Sequence, residues 1–259
     1  MTGAAGTLAL VLAETFAGGA ALLFLTPLWG EVKRGFFLLT GITLGLLALG
    51  ARGALVAAEA PTAPQAVDWA IRLTTIFAAL TAIWVLLLWR RVRTPARVIG
   101  IVTVPVSLAA LVALAGTGEP SELVALFQLL AGAMFMGAVW DGLLLGHWYL
   151  TDRGLSRAPI NRFAVLLLIG VALEAVAVIA GGFGPGGEQS SLNPLLTSIG
   201  LASWLGLGMV LVTALTAVMI KLTLKGQRSS AVQSATGFFY LAVIFGFVGE
   251  LAAKIRFLP

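Results

Sequence analysis

The chain has 259 residues, of which 59% are hydrophobic and only 10% are charged, and its mean hydropathy is +1.03. Because a soluble domain has an apolar share of about 45–50%, this composition excludes an ordinary soluble enzyme and indicates an integral membrane protein. The formal net charge of +5 comes from basic residues in short loops between apolar segments, so we expect no nucleic-acid partner.

Eight segments are long and apolar enough to cross about 30 Å of hydrocarbon, which takes about 20 residues of α-helix. The predicted spans are residues 7–28, 35–58, 69–90, 97–116, 122–150, 162–183, 195–221 and 235–256. The first is expected to be a retained helix, because it lacks a basic n-region and contains Glu14. We therefore predict an all-α integral membrane protein, a single polytopic domain over residues 1–259, with a span count that also fits two four-helix bundles.

The basic residues predict the orientation. Twelve of the sixteen lie in every second loop: Lys33 and Arg34; Arg90, Arg91, Arg93 and Arg97; Arg153, Arg157 and Arg162; Lys221, Lys225 and Arg228. Short cytoplasmic loops are enriched in Lys and Arg, so we expect both termini outside. The expected location is the cytoplasmic membrane of a bacterium or archaeon.

Five ionisable residues lie inside predicted spans toward the outer end: Glu14, Arg52, Arg72, Glu250 and Lys254. Glu250 and Lys254 are four residues apart, the spacing of an ion pair on one helix face. The basic members could instead extend to the membrane interface, whereas the two carboxylates are too short to do so. We expect an outer polar cavity, and Glu14, Arg52, Arg72 and Glu250 are its candidate ligand-binding residues.

Three further ionisable residues lie deeper: Asp141, His147 and Glu174. A charged side chain near the bilayer centre is unfavourable by roughly 2.5–3.5 kcal/mol, and such residues often line proton routes. The six-residue spacing of Asp141 and His147 places them about 120° apart and about 9 Å apart along a helix, so they are not direct partners. All three are candidates for a proton route, although His147 beside Trp148 and Tyr149 also fits an aromatic belt at the interface.

Glycine pairs spaced four apart, at Gly41/Gly45 and Gly142/Gly146, predict close helix packing rather than a site. The sequence has no cysteine, which excludes covalently attached haem and any cysteine-ligated cluster in this chain. Its single histidine cannot supply both ligands of a bis-histidine haem. The phosphate-binding GxxxxGK, zinc-binding HExxH and nucleophile-elbow motifs are also missing from the sequence.

Several short features resemble the NrfD-like membrane-anchor subunits of dimethyl sulfoxide and polysulfide reductases. These are the eight spans with both ends outside, the AGG of Ala17 to Gly19, and a last helix ending in Gly249-Glu250-Leu251, followed by a basic residue and then Phe257. The resemblance implies a haem-free anchor that binds quinol within the bilayer. It also implies that the anchor passes electrons to an iron–sulfur partner on the outer face.

Three functional hypotheses remain open. In the first, the chain is a quinone-interacting, haem-free subunit of an electron-transfer complex, a non-catalytic anchor of an oxidoreductase. The outer cavity would then hold the quinone, the deeper residues would carry protons, and the partners would be the lipid bilayer and proteins with redox centres. In the second, it is a transporter or channel coupled to protons or cations. In the third, it is a structural accessory subunit whose charges are paired.

Overall fold

The computed structural model describes residues 3–58, 63–118, 121–182, 201–226 and 230–255. Within these ranges the chain forms nine helices: α1 (Gly3–Leu25), α2 (Leu28–Glu31), α3 (Arg34–Ala57), α4 (Pro64–Trp89), α5 (Arg93–Ala115), α6 (Glu122–Thr151), α7 (Ala158–Ala180), α8 (Leu201–Lys225) and α9 (Ala231–Ile255). All of them except α2 are long and apolar enough to cross a membrane, which confirms the prediction of eight spans. The short helix α2 lies in the first loop and was not predicted.

Three of the helices that begin earlier than the predicted spans have a proline in the first turn. They are α4, α5 and α7, with Pro64, Pro95 and Pro159. Proline is well tolerated there, because the first N–H groups of a helix have no intrahelical partner. Hydropathy identifies the apolar part of a span and misses this polar first turn. The predicted start of span seven, at residues 195–200, lies outside the described residues.

Helices α1 and α6 form the centre of the structure. Helix α1 contacts α3, α5, α6 and α9, and α6 contacts α1, α5, α7 and α9. Helices α3, α4 and α5 complete one side of this central pair, and α7, α8 and α9 complete the other. The two helices that carry Glu14 and Asp141 are therefore shielded from lipid on most of their surface.

The central pair is packed backbone against backbone. A Cβ atom on Gly18 would lie 1.7 Å from the carbonyl oxygen of Ala133, and one on Gly137 would lie 2.3 Å from the carbonyl carbon of Gly18. Only residues without a Cβ atom permit this approach. The crossing therefore fixes how α1 and α6 sit beside each other.

The outer surfaces of the helices carry large apolar side chains. Leu46, Leu211 and Ile244, on three different helices, are 63%, 60% and 57% exposed. A soluble protein rarely exposes apolar surface on this scale, whereas lipid covers it without penalty. The exterior is consequently suited to contact with a lipid bilayer.

One end of the helix bundle, where α3, α5, α7 and α9 begin, carries most of the basic residues of the described chain and is called the basic end. At the basic end, Lys33 lies 3.0 Å from Asp152, and Arg162 forms two hydrogen bonds to the carboxylate of Glu31, at 2.9 and 3.0 Å. These pairs join the α2–α3 region to the start of α7 and the end of α6. The opposite end, where α1 begins and α9 ends, is called the terminal end below. That the basic end is cytoplasmic stays a prediction.

Candidate functional site

A buried ion pair lies toward the terminal end, in the interior between α1, α6 and α9. The Nζ atom of Lys254 is 2.9 Å from Oε1 of Glu14 and 3.1 Å from Oε2 of Glu250. These three side chains are at most 2% exposed. The ion pair predicted from the spacing of Glu250 and Lys254 is confirmed, and Lys254 does not extend to the interface.

A third carboxylate joins this pair. Glu174 of α7 is 1% exposed and lies beside Glu250, but it forms no ion pair with Lys254. The ammonium group of Lys254 also approaches the backbone carbonyl oxygen of Gln128 on α6, at 3.4 Å. We call Glu14, Glu174, Glu250 and Lys254 the buried charge cluster. Three helices supply its carboxylates, and two of these carboxylates contact Lys254.

Glycines make room for the cluster. A Cβ atom on Gly132 of α6 would lie 2.4 Å from Oε1 of Glu14, so only glycine at this position lets the carboxylate enter the α1–α6 interface. Helix α9 is held against α8 by a close approach in which a Cβ atom on Gly249 would lie 3.1 Å from Cβ of Met209. These close approaches help to bring Glu14, from the first half of the chain, beside Glu250 and Lys254 from the second half.

The cluster is not neutral when every group is ionised. Three carboxylates and one ammonium would together carry a charge of −2, so these four side chains become neutral as a group only when two protons are added. One oxygen each of Glu14, Glu174 and Glu250 (Oε2, Oε2 and Oε1) has neither a hydrogen-bond partner nor a close ammonium group among the described residues. An unneutralised charge is strongly disfavoured in such an interior, and a carboxyl group escapes this by holding a proton. The geometry is therefore suited to binding protons.

A metal ion fits this arrangement less well. The ammonium group of Lys254 already occupies the position between Glu14 and Glu250 where a cation would sit. Within the part of the chain that the structure describes, no group of three or more His, Asp or Glu side chains is arranged to hold a metal ion.

Asp141 forms a separate buried site. It is fully buried, and neither of its carboxylate oxygens has a hydrogen-bond partner among the described residues. It faces α1, where a Cβ atom on Gly19 would lie 3.3 Å from its Oδ1 atom. On α6 it lies about 14 Å beyond Gly132, the glycine that contacts Glu14. Asp141 is thus closer to the basic end than the cluster is.

His147 does not approach Asp141. It is exposed on the outer surface of α6, and its Nδ1 atom lies 3.3 Å from the hydroxyl oxygen of Tyr240 on α9. The different directions of the two residues agree with their six-residue spacing. Only Asp141 faces the protein interior.

Arg52 and Arg72 lie apart from Glu14 and Glu250, with which they were grouped by depth. Both arginines are exposed on the outside of α3 and α4. Nε of Arg52 donates a hydrogen bond to Oγ1 of Thr75 at 3.1 Å, and the guanidinium group of Arg72 lies 5.4 Å from the ring centre of Trp69. The expected outer cavity with all four side chains is therefore not formed. Glu174, expected among the deeper residues, takes the place beside Glu250 instead.

No family model, curated protein or solved structure matches this chain. The resemblance to NrfD-like anchors therefore stays a prediction, and Phe257, one of its residues, lies outside the described residues. The cluster and Asp141 are the features from which a function can be inferred.

Proposed function

We propose that this protein is a membrane transporter or channel that conducts protons, and that its proton-binding site is the buried charge cluster. The observation that carries the proposal is the contact of Lys254 with Glu14 and Glu250, with Glu174 beside Glu250 and every side chain at most 2% exposed. Ionisable residues inside a membrane domain commonly mark proton or ion routes. The proton is the preferred ligand, since the lysine already supplies the bound cation.

The position of the cluster offers a mechanism for coupling. We infer from the helix contacts that the spans form two four-helix bundles, α1 with α3, α4 and α5, and α6 with α7, α8 and α9. Glu14 belongs to the first bundle, whereas Glu174, Glu250 and Lys254 belong to the second. A movement between the bundles would separate Glu14 from Lys254. Proton uptake by Glu14 would then accompany that movement, because the separated carboxylate could not remain charged in the interior.

Asp141 is the second proton-binding group of the proposed route. The backbone contact between Gly18 and Ala133 closes the α1–α6 interface between the cluster and Asp141. A proton that passes along this interface needs α1 to shift against α6, which is the same movement that separates Glu14 from Lys254. The proposal therefore links proton transfer to one rearrangement of the central pair.

Proton flux into liposomes tests this function. The purified protein is reconstituted with a pH-sensitive dye inside the vesicles, and a membrane potential is imposed with potassium and valinomycin. We expect proton uptake by the natural protein and its loss in Glu14→Gln, with Glu122→Gln as a matched control because Glu122 is exposed in the first turn of α6. If Glu14→Gln folds and retains full flux, or if the natural protein gives none, the proposed function is wrong.

A quinone-interacting subunit is the second candidate. The feature in its favour is that the cluster would become neutral on binding two protons, the number that a quinol releases when it is oxidised. The purified protein would then contain extractable quinone and co-purify with a partner that carries a redox centre. This candidate also predicts that the chain alone moves no protons in liposomes, so the flux assay separates it from the transporter.

A further inference from the structure

A groove of about 570 Å³ runs along the outside of the protein between α3 and α4. Its floor is made of small residues, and longer apolar side chains border it: Gly41, Gly45, Ala78 and Ala82; Ile42 and Leu46. From Gly41 to Arg52, which lines its end, the groove follows α3 for about 16 Å. This length is about half of a 30 Å hydrocarbon core, so the groove is matched to the acyl chain of one leaflet.

The groove ends at a positively charged group. Arg52 uses its Nε atom to hold Thr75, which leaves its two terminal amino groups without a hydrogen bond or ion pair to the described residues. Arg72 lies one helical turn before Thr75 on α4 and is stacked on Trp69, which is 58% exposed. Asp68, one turn before Arg72, forms no ion pair with either arginine within the described residues. One guanidinium group thus lies at the end of the apolar groove, and a second lies one helical turn farther toward the start of α4.

The end of the groove that Arg52 lines lies at the depth of the lipid headgroups. Arg52 is about 8 Å from the last residue of α3, Ala57. An arginine at that depth reaches the interface with its guanidinium group while its stem stays in the apolar layer. Arginine binds phosphate through two parallel N–H donors, and the exposed tryptophan is typical of the interfacial region.

We infer that the α3–α4 groove binds one anionic phospholipid, with an acyl chain along the small-residue floor and the phosphate on Arg52. Arg72 contributes a second positive charge, which favours a headgroup with net negative charge over a zwitterionic one. The site lies on the outer surface of α3 and α4, away from the buried charge cluster. Its test is therefore independent of proton transport.

The experiment is a lipid titration of the purified, delipidated protein, followed by native mass spectrometry and by the melting temperature. We expect phosphatidylglycerol to bind at a stoichiometry of one and to raise the melting temperature more than phosphatidylcholine does. Inorganic phosphate alone should have no effect, because it cannot fill the groove. Arg52→Ala should weaken phosphatidylglycerol binding by about tenfold or more, since a hydrogen bond to a charged group is lost.

Two further variants complete the test. Gly45→Leu fills the groove and should also weaken binding, and it should fold, because a Cβ atom there would lie 3.6 Å from Cγ2 of Thr81, an ordinary contact. Arg97→Ala removes an exposed arginine outside the groove and should bind like the natural protein. Equal binding of phosphatidylcholine and phosphatidylglycerol, unchanged binding in Arg52→Ala, or a neutral quinone as the occupant would overturn the inference.

Discussion

Replacing Lys254 with methionine is the sharpest perturbation of the buried charge cluster. Methionine keeps most of the side-chain volume and removes the ammonium group, which lies 2.9 Å from Glu14 and 3.1 Å from Glu250. Because Lys254 is only 2% exposed, water cannot replace the lost partner. Breaking a buried ion pair by removing one member destabilises a protein by about 3–5 kcal/mol. We expect Lys254→Met to fall in this range.

The assay is reversible unfolding in mixed micelles, with the free energy of unfolding obtained for each variant. The matched control is Lys33→Met, which breaks the ion pair with Asp152, because Lys33 is 74% exposed and such a pair contributes about 0–1 kcal/mol. Combining Lys254→Met with Glu14→Gln should restore part of the stability, because the second change removes a carboxylate left without its partner. The expected coupling free energy is about 1–3 kcal/mol.

Two results would refute this reasoning. A loss for Lys254→Met no larger than that for Lys33→Met would mean that the buried pair does not stabilise the fold. Strict additivity of Lys254→Met and Glu14→Gln would mean that the two side chains do not interact.

Three other substitutions have definite expected outcomes. Gly18→Ala should lower the free energy of unfolding by about 1–3 kcal/mol or more, because the added Cβ atom would lie 1.7 Å from the carbonyl oxygen of Ala133. The control is Gly208→Ala, whose Cβ atom would have no neighbour within 4 Å, and it should be neutral or stabilising. Thermal melts would compare the two, and equal melting temperatures would contradict the backbone contact. Asp141→Asn should leave the melting temperature unchanged or higher, because neither oxygen of this buried carboxylate has a partner among the described residues. The same change should abolish proton flux in liposomes, and retained flux would remove Asp141 from the route. Arg162→Ala should lower stability by no more than about 1 kcal/mol in urea titrations, since its pair with Glu31 is partly exposed, and a larger loss would show that this pair fixes the basic end.

The number of spans and the Glu250–Lys254 pair were predictable because both depend on local sequence. A span is identified by the length of its apolar run, and an ion pair at a spacing of four depends on one helix alone. The packing role of the pair Gly142/Gly146 is confirmed as well, since these glycines lie against Phe239 and Thr236 of α9.

The composition of the cluster could not be predicted, because it depends on which helices are neighbours. Glu174 and Glu250 lie at similar distances from the terminal ends of α7 and α9, about 9 Å and about 8 Å. The predicted end of this span, at residue 183, lies beyond the end of α7 and therefore placed Glu174 among the deeper residues. Measured from the helix ends that the structure shows, the two carboxylates lie at one level.

The arginines were placed in the wrong environment for a different reason. Depth along a span says nothing about the direction in which a side chain points, and Arg52 and Arg72 occupy the outer faces of α3 and α4. The close contact between α1 and α6 at Gly18 could not be predicted from the sequence either, because the partner of Gly18 is the carbonyl group of Ala133 rather than a side chain. Such contacts follow from tertiary packing.

The most direct test of the central claim is infrared spectroscopy of the carboxyl groups in the purified protein. The account predicts protonated carboxyl C=O bands at neutral pH that shift in D₂O, and one of these bands should disappear in Glu174→Gln. Glu122→Gln, at an exposed position, should leave the bands unchanged. A spectrum of Glu174→Gln identical to that of the natural protein in this region would contradict the claim that the cluster holds protons.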